Sequence, residues 1–465
     1  MSFRGPKSVS ILVAALALIL GAAGCSGDST YGNAGTGTES GAPARQTFGT
    51  YSPGTLGAMT PEARELLMQK LGVTSYEEYQ RYNINLMLEA GATWARQDFE
   101  YRAESGFTSP DDYLGRLRGA GFEVVGCARP AKGYAAGDLP VFEERMRRLV
   151  EAHPYIRTWQ IGNEPSVSLA DPETFPAFFL AGSAAVREAC PDCRVILGGA
   201  ALRYPNRPES AAYFERTTAA ILAGSPDRLP FDAVDFHFYG LAGDEDVLLS
   251  NLDEYKAILA RNGLGVAGLP PDAGGSGTRG AVEIWITETA TYTGRPTMPP
   301  QAPPQSQEQQ AEELVRRFAT ALGSGVERIS WSRPYENYGY IGLGPDGFYD
   351  LTALVYNGLG QEEEAQGIAA GTKKKSYFAF RTLARELQGY ESARMLSPSA
   401  WEFAFAGGRR IYIVWDGGDG LTPEQRLPED ARGRARVTDI EGNPREAETS
   451  SLAASYTPVL IEPPG

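Results

Sequence analysis

Across residues 46–388, short β-branched and aromatic runs alternate with stretches whose apolar positions recur at helical spacing. Strands interleaved with helices pair most economically in parallel, so this rhythm predicts βαβ units. The strand-like runs end near Phe99, Ala128, Asn163, Gly199, Tyr239, Glu288 and Trp331, with a first strand near Phe48. Eight such units predict an α/β fold, a (β/α)₈ TIM barrel over residues 46–390. Helical periodicity between the strands is clearest over 76–90, 174–189 and 307–322. Beyond 390 the pattern changes. Runs at 400–406, 410–415, 434–440 and 457–461 are separated by Gly, Pro and Asp, which predicts a small all-β unit over 391–465 that carries no chemistry.

The first 45 residues follow neither rhythm. Arg4 and Lys7 precede an uncharged apolar run over 9–24, shorter than the roughly 20 residues that span a bilayer. A basic start, a short apolar stretch and small residues at its end describe a secretory signal. Its last residues, Leu20-Gly21-Ala22-Ala23-Gly24-Cys25, resemble a bacterial lipobox, although Ala22 stands where leucine is commoner. That resemblance implies lipidation of Cys25 and an exported protein anchored to the cell envelope. Residues 26–45, rich in Gly, Ser, Thr and Ala, read as a flexible tether.

Charge narrows the classes of partner. The formal net charge is −15, so a polyphosphate partner lacks the basic face it needs, and nucleic-acid binding is excluded as the first reading. Only His153 and His237 are available as imidazole ligands, which disfavours a metal site. Two further patterns are decoys. The glycines at 275, 277 and 280 match G-x-G-x-x-G, but they precede a strand instead of opening a helix. Cys190 and Cys193 have redox or zinc half-site spacing. They lie at the bottom of the expected barrel without a second pair, so a local disulfide is expected, with Cys127 a buried thiol.

Barrel chemistry sits at the C-terminal ends of the strands. Two strand ends there are acidic: Trp159-Gln160-Ile161-Gly162-Asn163-Glu164-Pro165 on the fourth and Glu283-Ile284-Trp285-Ile286-Thr287-Glu288-Thr289 on the seventh. Strands four and seven face each other across the mouth. Parity adds to this, because Asp235, His237 and Tyr239 share one face of the sixth strand, and Trp94, Arg96 and Asp98 one face of the second.

Asn-Glu-Pro on strand four with Ile-Thr-Glu on strand seven resembles glycoside hydrolase clan A, families 39 and 5 most of all. The resemblance covers residues 46–388. It implies a retaining β-glycosidase with Glu288 as nucleophile and Glu164 as acid/base, acting on an oligo- or polysaccharide without cofactor or metal. It further implies that Asn163 meets the sugar 2-hydroxyl, that Arg96 and Tyr239 brace Glu288, that Asp98 and His237 line the site, and that Trp331 floors the sugar subsite. The third strand lacks the histidine common in that clan, and Arg129 is the candidate replacement. A transglycosylase of the same mechanism and a non-catalytic polysaccharide-binding barrel are the alternatives. Two carboxylates suit the chemistry because one must attack while the other still holds a proton.

Overall fold

The computed structural model describes residues 46–51, 61–130, 139–166, 173–201, 208–269, 274–275, 277–336, 338–339 and 346–464. The signal-like segment, Cys25 and the tether lie outside them. Eight parallel strands close into a barrel: β1 (Phe48–Tyr51), β2 (Trp94–Arg102), β3 (Glu123–Pro130), β4 (Thr158–Ile161), β5 (Arg194–Ala201), β6 (Ala233–Tyr239), β7 (Gly280–Ala290) and β8 (Val326–Trp331). Each pairs with its successor, and β1 pairs with both β8 and β2, which closes the ring.

Helices lie between successive strands and cover the barrel's outer face. The helix Gln307–Gly323 starts at a capping box, in which Ser306 accepts from the Gln309 N–H and the Gln309 side chain accepts from the Ser306 N–H. Phe318 on this helix packs near Phe48, Trp331 and Phe380, with ring centroids 6.0, 6.2 and 5.8 Å away. Alternate residues along the strands supply this outer layer, including Phe99, Val124, Val234, Phe236 and Ile286.

The other set of alternates points into the lumen, in layers. Trp94, Val125, Ile196, Ala233 and Trp285 form a separate apolar cluster there, with the two indoles 5.9 Å apart. One step further along the strands, Arg96, Cys127, Gln160, Asp235 and Thr287 are buried and polar apart from the thiol. The barrel therefore has a dry floor and a polar upper storey.

Past the barrel, β9 (Ser392–Ser397), β10 (Ala400–Ala404), β11 (Arg410–Val414), β12 (Arg434–Thr438), β13 (Pro444–Glu448) and β14 (Val459–Glu462) form an antiparallel sheet. The strands at β9 and β13 escape the sequence pattern, because both are largely exposed and lack an apolar face. The sheet is not merely appended: Trp401 is buried against Gly323 of a barrel helix, where an added Cβ would approach the indole to 2.0 Å. Cys190 and Cys193 form a disulfide, and Cys127 is a buried thiol.

Candidate active site

The turn after β4 delivers the first acidic residue. Gly162 adopts φ +89°, and its carbonyl accepts from the Gln160 amide at 3.1 Å. Glu164 itself adopts φ +42°, in the left-handed region that residues with a Cβ seldom occupy. Pro165 adds to the strain, since the residue before a proline is pushed toward extended conformations. Strain of this kind persists where the surroundings fix it, and it clusters at functional sites.

A β-bulge delivers the second. Asp235 pairs with Trp285 and His237 with Glu288, so three steps along β7 match two along β6. The same extra residue appears against β8, where Ile329 pairs with Ile286 and Trp331 with Thr289. Simple alternation places Trp285 and Thr287 inward and would turn Glu288 out among the helices. The bulge reverses that and brings Glu288 into the lumen.

Glu288 then meets a ring of donors. Arg96 Nη1 donates to its Oε1, and the Tyr239 hydroxyl donates to its Oε2 at 2.7 Å. With that phenol proton committed, Ser332 Oγ, 3.0 Å from the Tyr239 oxygen, is the donor in their bond. Arg96 is fully buried; its Nη2 also donates to Asn163 Oδ1 and reaches Cys127 Sγ at 3.1 Å. Asp98 Oδ1 stands 3.5 Å from Arg96, while Asp98 Oδ2 accepts from Tyr51 at 2.9 Å and pairs with Arg129 at 3.0 Å. The Asp98 carboxylate is thus engaged by protein groups, and Arg129 spans Asp98 and Glu100.

His237 joins the two glutamates. Its Nδ1 lies 3.1 Å from Glu164 Oε1 and 3.6 Å from Glu288 Oε1, and its Nε2 lies 3.1 Å from Asp235 Oδ2. The sum of the first two distances bounds the closest approach of the two carboxylates from above. Gly199 makes room for the imidazole, because a Cβ there would come within 2.5 Å of Nε2.

Electrostatics follow from these contacts. Burial pulls the His237 pKa down, but the Glu288 and Asp235 charges outweigh it and push the imidazole up to about 10. His237 is then a cation at neutral pH that donates from both nitrogens. For Glu288, burial raises the pKa, while His237 and Arg96 lower it further than burial and the Glu164 charge raise it. The net direction is down, so Glu288 is ionised. Burial drives the Cys127 thiol up to about 12, which makes it a neutral packing group. Among the described residues no group of three or more His, Cys, Asp or Glu is placed to hold a metal ion.

The structure therefore gathers Glu164, Glu288, Asn163, Arg96, Asp98, His237 and Tyr239 at one end of the lumen. Trp331 is not among them, and its expected place under a sugar needs correction. Its side chain is fully buried against Phe318 in the barrel–helix layer, and its indole N–H donates to Thr352 O at 2.9 Å. Adjacent Ser332 takes the inward position beside Tyr239 instead. Motif matching ranks Trp331 by residue type, whereas parity at the end of β8 decides which side it faces. Sequence pattern also leaves Ser332 and Thr287 unmarked and gives Asp235 no role. Only the alternation on β6 points to Asp235, and nothing local announces the bulge that Thr287 occupies.

No protein-family model matches the chain, and neither does any curated protein. Solved structures do. A family 39 glycoside hydrolase from the gut symbiont Bacteroides cellulosilyticus WH2 superposes with a TM-score of 0.61 at 15% identity, over 90% of this chain and 81% of that one. A glucosidase from Croceicoccus marinus superposes with a TM-score of 0.55 at 14% identity, over 90% and 96% respectively. At such identities the likeness is one of fold: a closed eight-stranded parallel barrel followed by an antiparallel C-terminal sheet.

Proposed function

We propose that this protein is a retaining β-glycoside hydrolase of an oligo- or polysaccharide, exported and held at the bacterial cell envelope through Cys25. The observation that carries the reading is the single imidazole of His237 spanning two carboxylates, one of them held ionised by Arg96 and Tyr239. Both glutamates keep some exposure at the mouth, 14% for Glu164 and 9% for Glu288, so a sugar can reach them. Both carboxylates reach one ring nitrogen, at 3.1 and 3.6 Å, which favours the close spacing of roughly 5–5.5 Å that retaining enzymes use. The structural neighbours that share the barrel, a family 39 glycoside hydrolase and a glucosidase, point the same way.

Chemistry follows from the division of labour. An oxygen of the Glu288 carboxylate attacks the anomeric carbon as the bond to the leaving oxygen breaks, and Glu164 gives that oxygen its proton. Water then attacks the same carbon from the opposite side, Glu164 takes a proton from it, and the bond to Glu288 breaks. Two inversions give net retention. The acid limb of the rate profile belongs to Glu288 and the alkaline limb to Glu164, as macroscopic values of a coupled set.

A panel of aryl β-glycosides and envelope polysaccharides, followed by NMR from the first turnover, tests this. The β-anomer is expected first, with the α-anomer appearing only by mutarotation. An α-anomer formed first would overturn the retaining reading. For the anchor, detergent partitioning of wild type is expected to be lost in Cys25→Ser, and unchanged partitioning would remove the lipid.

A further inference from the structure

One carboxylate in the upper storey touches neither glutamate, yet it is bonded to what orients each of them. We propose that Asp235 is a positioning residue that sets both at once, locking the β7 bulge that turns Glu288 inward and, through His237, steering the Glu164 carboxylate. The proposal rests on the reading of Glu164 and Glu288 as the catalytic pair.

The bulge needs a lock because its extra residue leaves the ladder. A bulged residue's N–H loses its strand partner, and a buried N–H without an acceptor is costly. Asp235 Oδ1 accepts the Thr287 N–H at 2.8 Å, and its Oδ2 accepts the Thr287 hydroxyl at 2.7 Å. Thr287 immediately precedes Glu288, so the grip on its backbone fixes the angle at which Glu288 leaves the strand. Asp235 Oδ2 also accepts from His237 Nε2 at 3.1 Å. That bond fixes the ring plane and hence the direction of Nδ1–H toward Glu164. The side chains of Asp235, His237 and Thr287 are buried, so water does not compete for these bonds.

Charge runs through the same link. The titratable groups facing His237 are Glu164 after β4, Asp235 on its own strand and Glu288 on β7; Arg96 of β2 and Tyr239 of β6 face Glu288. On β5, Gly199 lies beside the ring and Ala201 pairs with His237, and neither carries a charge. Asp235 thus supplies one of three negative groups around the imidazolium, and it is the one placed to do so without entering the reaction.

Asp235→Asn separates positioning from bulk. The amide oxygen can still accept from Thr287 N–H, but the amide nitrogen faces Nε2 as a donor, so the imidazole must lose its proton there. His153 and His237 are the two histidines of the chain, so ¹⁵N-histidine NMR in a His153→Gln background reads His237 alone. The expected result is a fall of the His237 titration midpoint by more than about one unit in Asp235→Asn. With the imidazolium gone, both limbs of the kcat/KM profile move to higher pH, kcat drops about 10²-fold, and KM changes little. A merely structural role would lower amplitude and leave the limbs and the His237 midpoint where they were. That outcome in a folded Asp235→Asn protein overturns the proposal. If Asp235→Asn does not fold, His237→Gln is the second variant. It keeps the bulge lock and cuts the route to Glu164, so the alkaline limb moves up, and an unmoved limb overturns the proposal. Absence of glycosidase turnover in wild type, with the His237 midpoint still shifted by Asp235→Asn, would instead sink the catalytic reading and leave the geometry standing.

Discussion

The floor of the barrel lumen and the storey above it are built from the same strands, two residues apart, and they obey opposite rules. Below, Trp94, Val125, Ile196, Ala233 and Trp285 close into a dry apolar plug. Above, Arg96, Asp235, His237 and Glu288 crowd four groups that are charged at neutral pH into a buried space. Apolar burial stabilises in proportion to area, whereas buried charges stabilise weakly at best, because leaving water offsets much of their attraction. The floor is therefore what a fold needs, and the upper storey is what a reaction needs. Strain follows the same division: Glu164, one of two described non-glycine residues with positive φ, stands at the mouth.

Substitutions in the two layers test that contrast. The largest effect on activity is expected from Glu288→Gln, with turnover falling on the order of 10⁶-fold, as when a nucleophile is lost. Aryl-glycoside release by the variant, measured by absorbance, checks it, and near-normal release would move the nucleophile elsewhere. Next comes Glu164→Ala, expected to lose roughly 10²–10⁴-fold on substrates with poor leaving groups while keeping much of its first step on activated aryl glycosides. Azide should restore turnover and yield a β-glycosyl azide. Equal losses on both substrate classes without azide rescue would reverse the assignment.

In the floor, the expectation inverts. Trp285→Ala removes a fully buried indole and should cost about 3–5 kcal/mol of stability, read by denaturant unfolding. Its activity per folded molecule, measured well below the new midpoint, should change far less than for either glutamate variant. A floor variant that unfolds no more easily than wild type would erase the distinction between the layers.

The last effect expected is a pH dependence of stability through His237. Its folded pKa of about 10 stands above the ordinary 6.5. Between those values the folded state binds the proton that the unfolded state has released. Its contribution is complete below pH 6.5 and disappears as pH rises through 10. The Tm gap between wild type and His237→Gln should narrow over that range, by roughly 1 °C for each kcal/mol lost. A gap that stays constant over that range would mean that His237 is neutral in the fold.

The barrel and most of its site are legible in the order of residues alone. Alternation of strand and helix patterns points to the barrel because each βα unit buries its faces locally. The Asn-Glu-Pro and Ile-Thr-Glu ends stand out because acidic residues seldom finish apolar strands. Parity on β6 places Asp235, His237 and Tyr239 together, since strict alternation holds there. Parity on β7 would misplace Glu288, because the bulge is fixed by Asp235, 52 positions earlier. Trp331 defeats motif matching for a related reason: its surroundings come from Phe318 and Thr352 on other elements. Local pattern conveys what a strand offers, and distant partners decide which way its last residues turn.

The proposed mechanism turns on a covalent bond between Glu288 and the substrate's anomeric carbon. Incubation with a panel of activated 2-deoxy-2-fluoro-β-glycosides, followed by intact-mass and peptide mass spectrometry, tests it directly. One added glycosyl mass per chain is expected, located on Glu288, absent from Glu288→Gln and removed when an acceptor sugar restores turnover. A glycosyl mass on Glu164, or turnover of the parent glycoside with inversion and no adduct from its fluoro analogue, would contradict it.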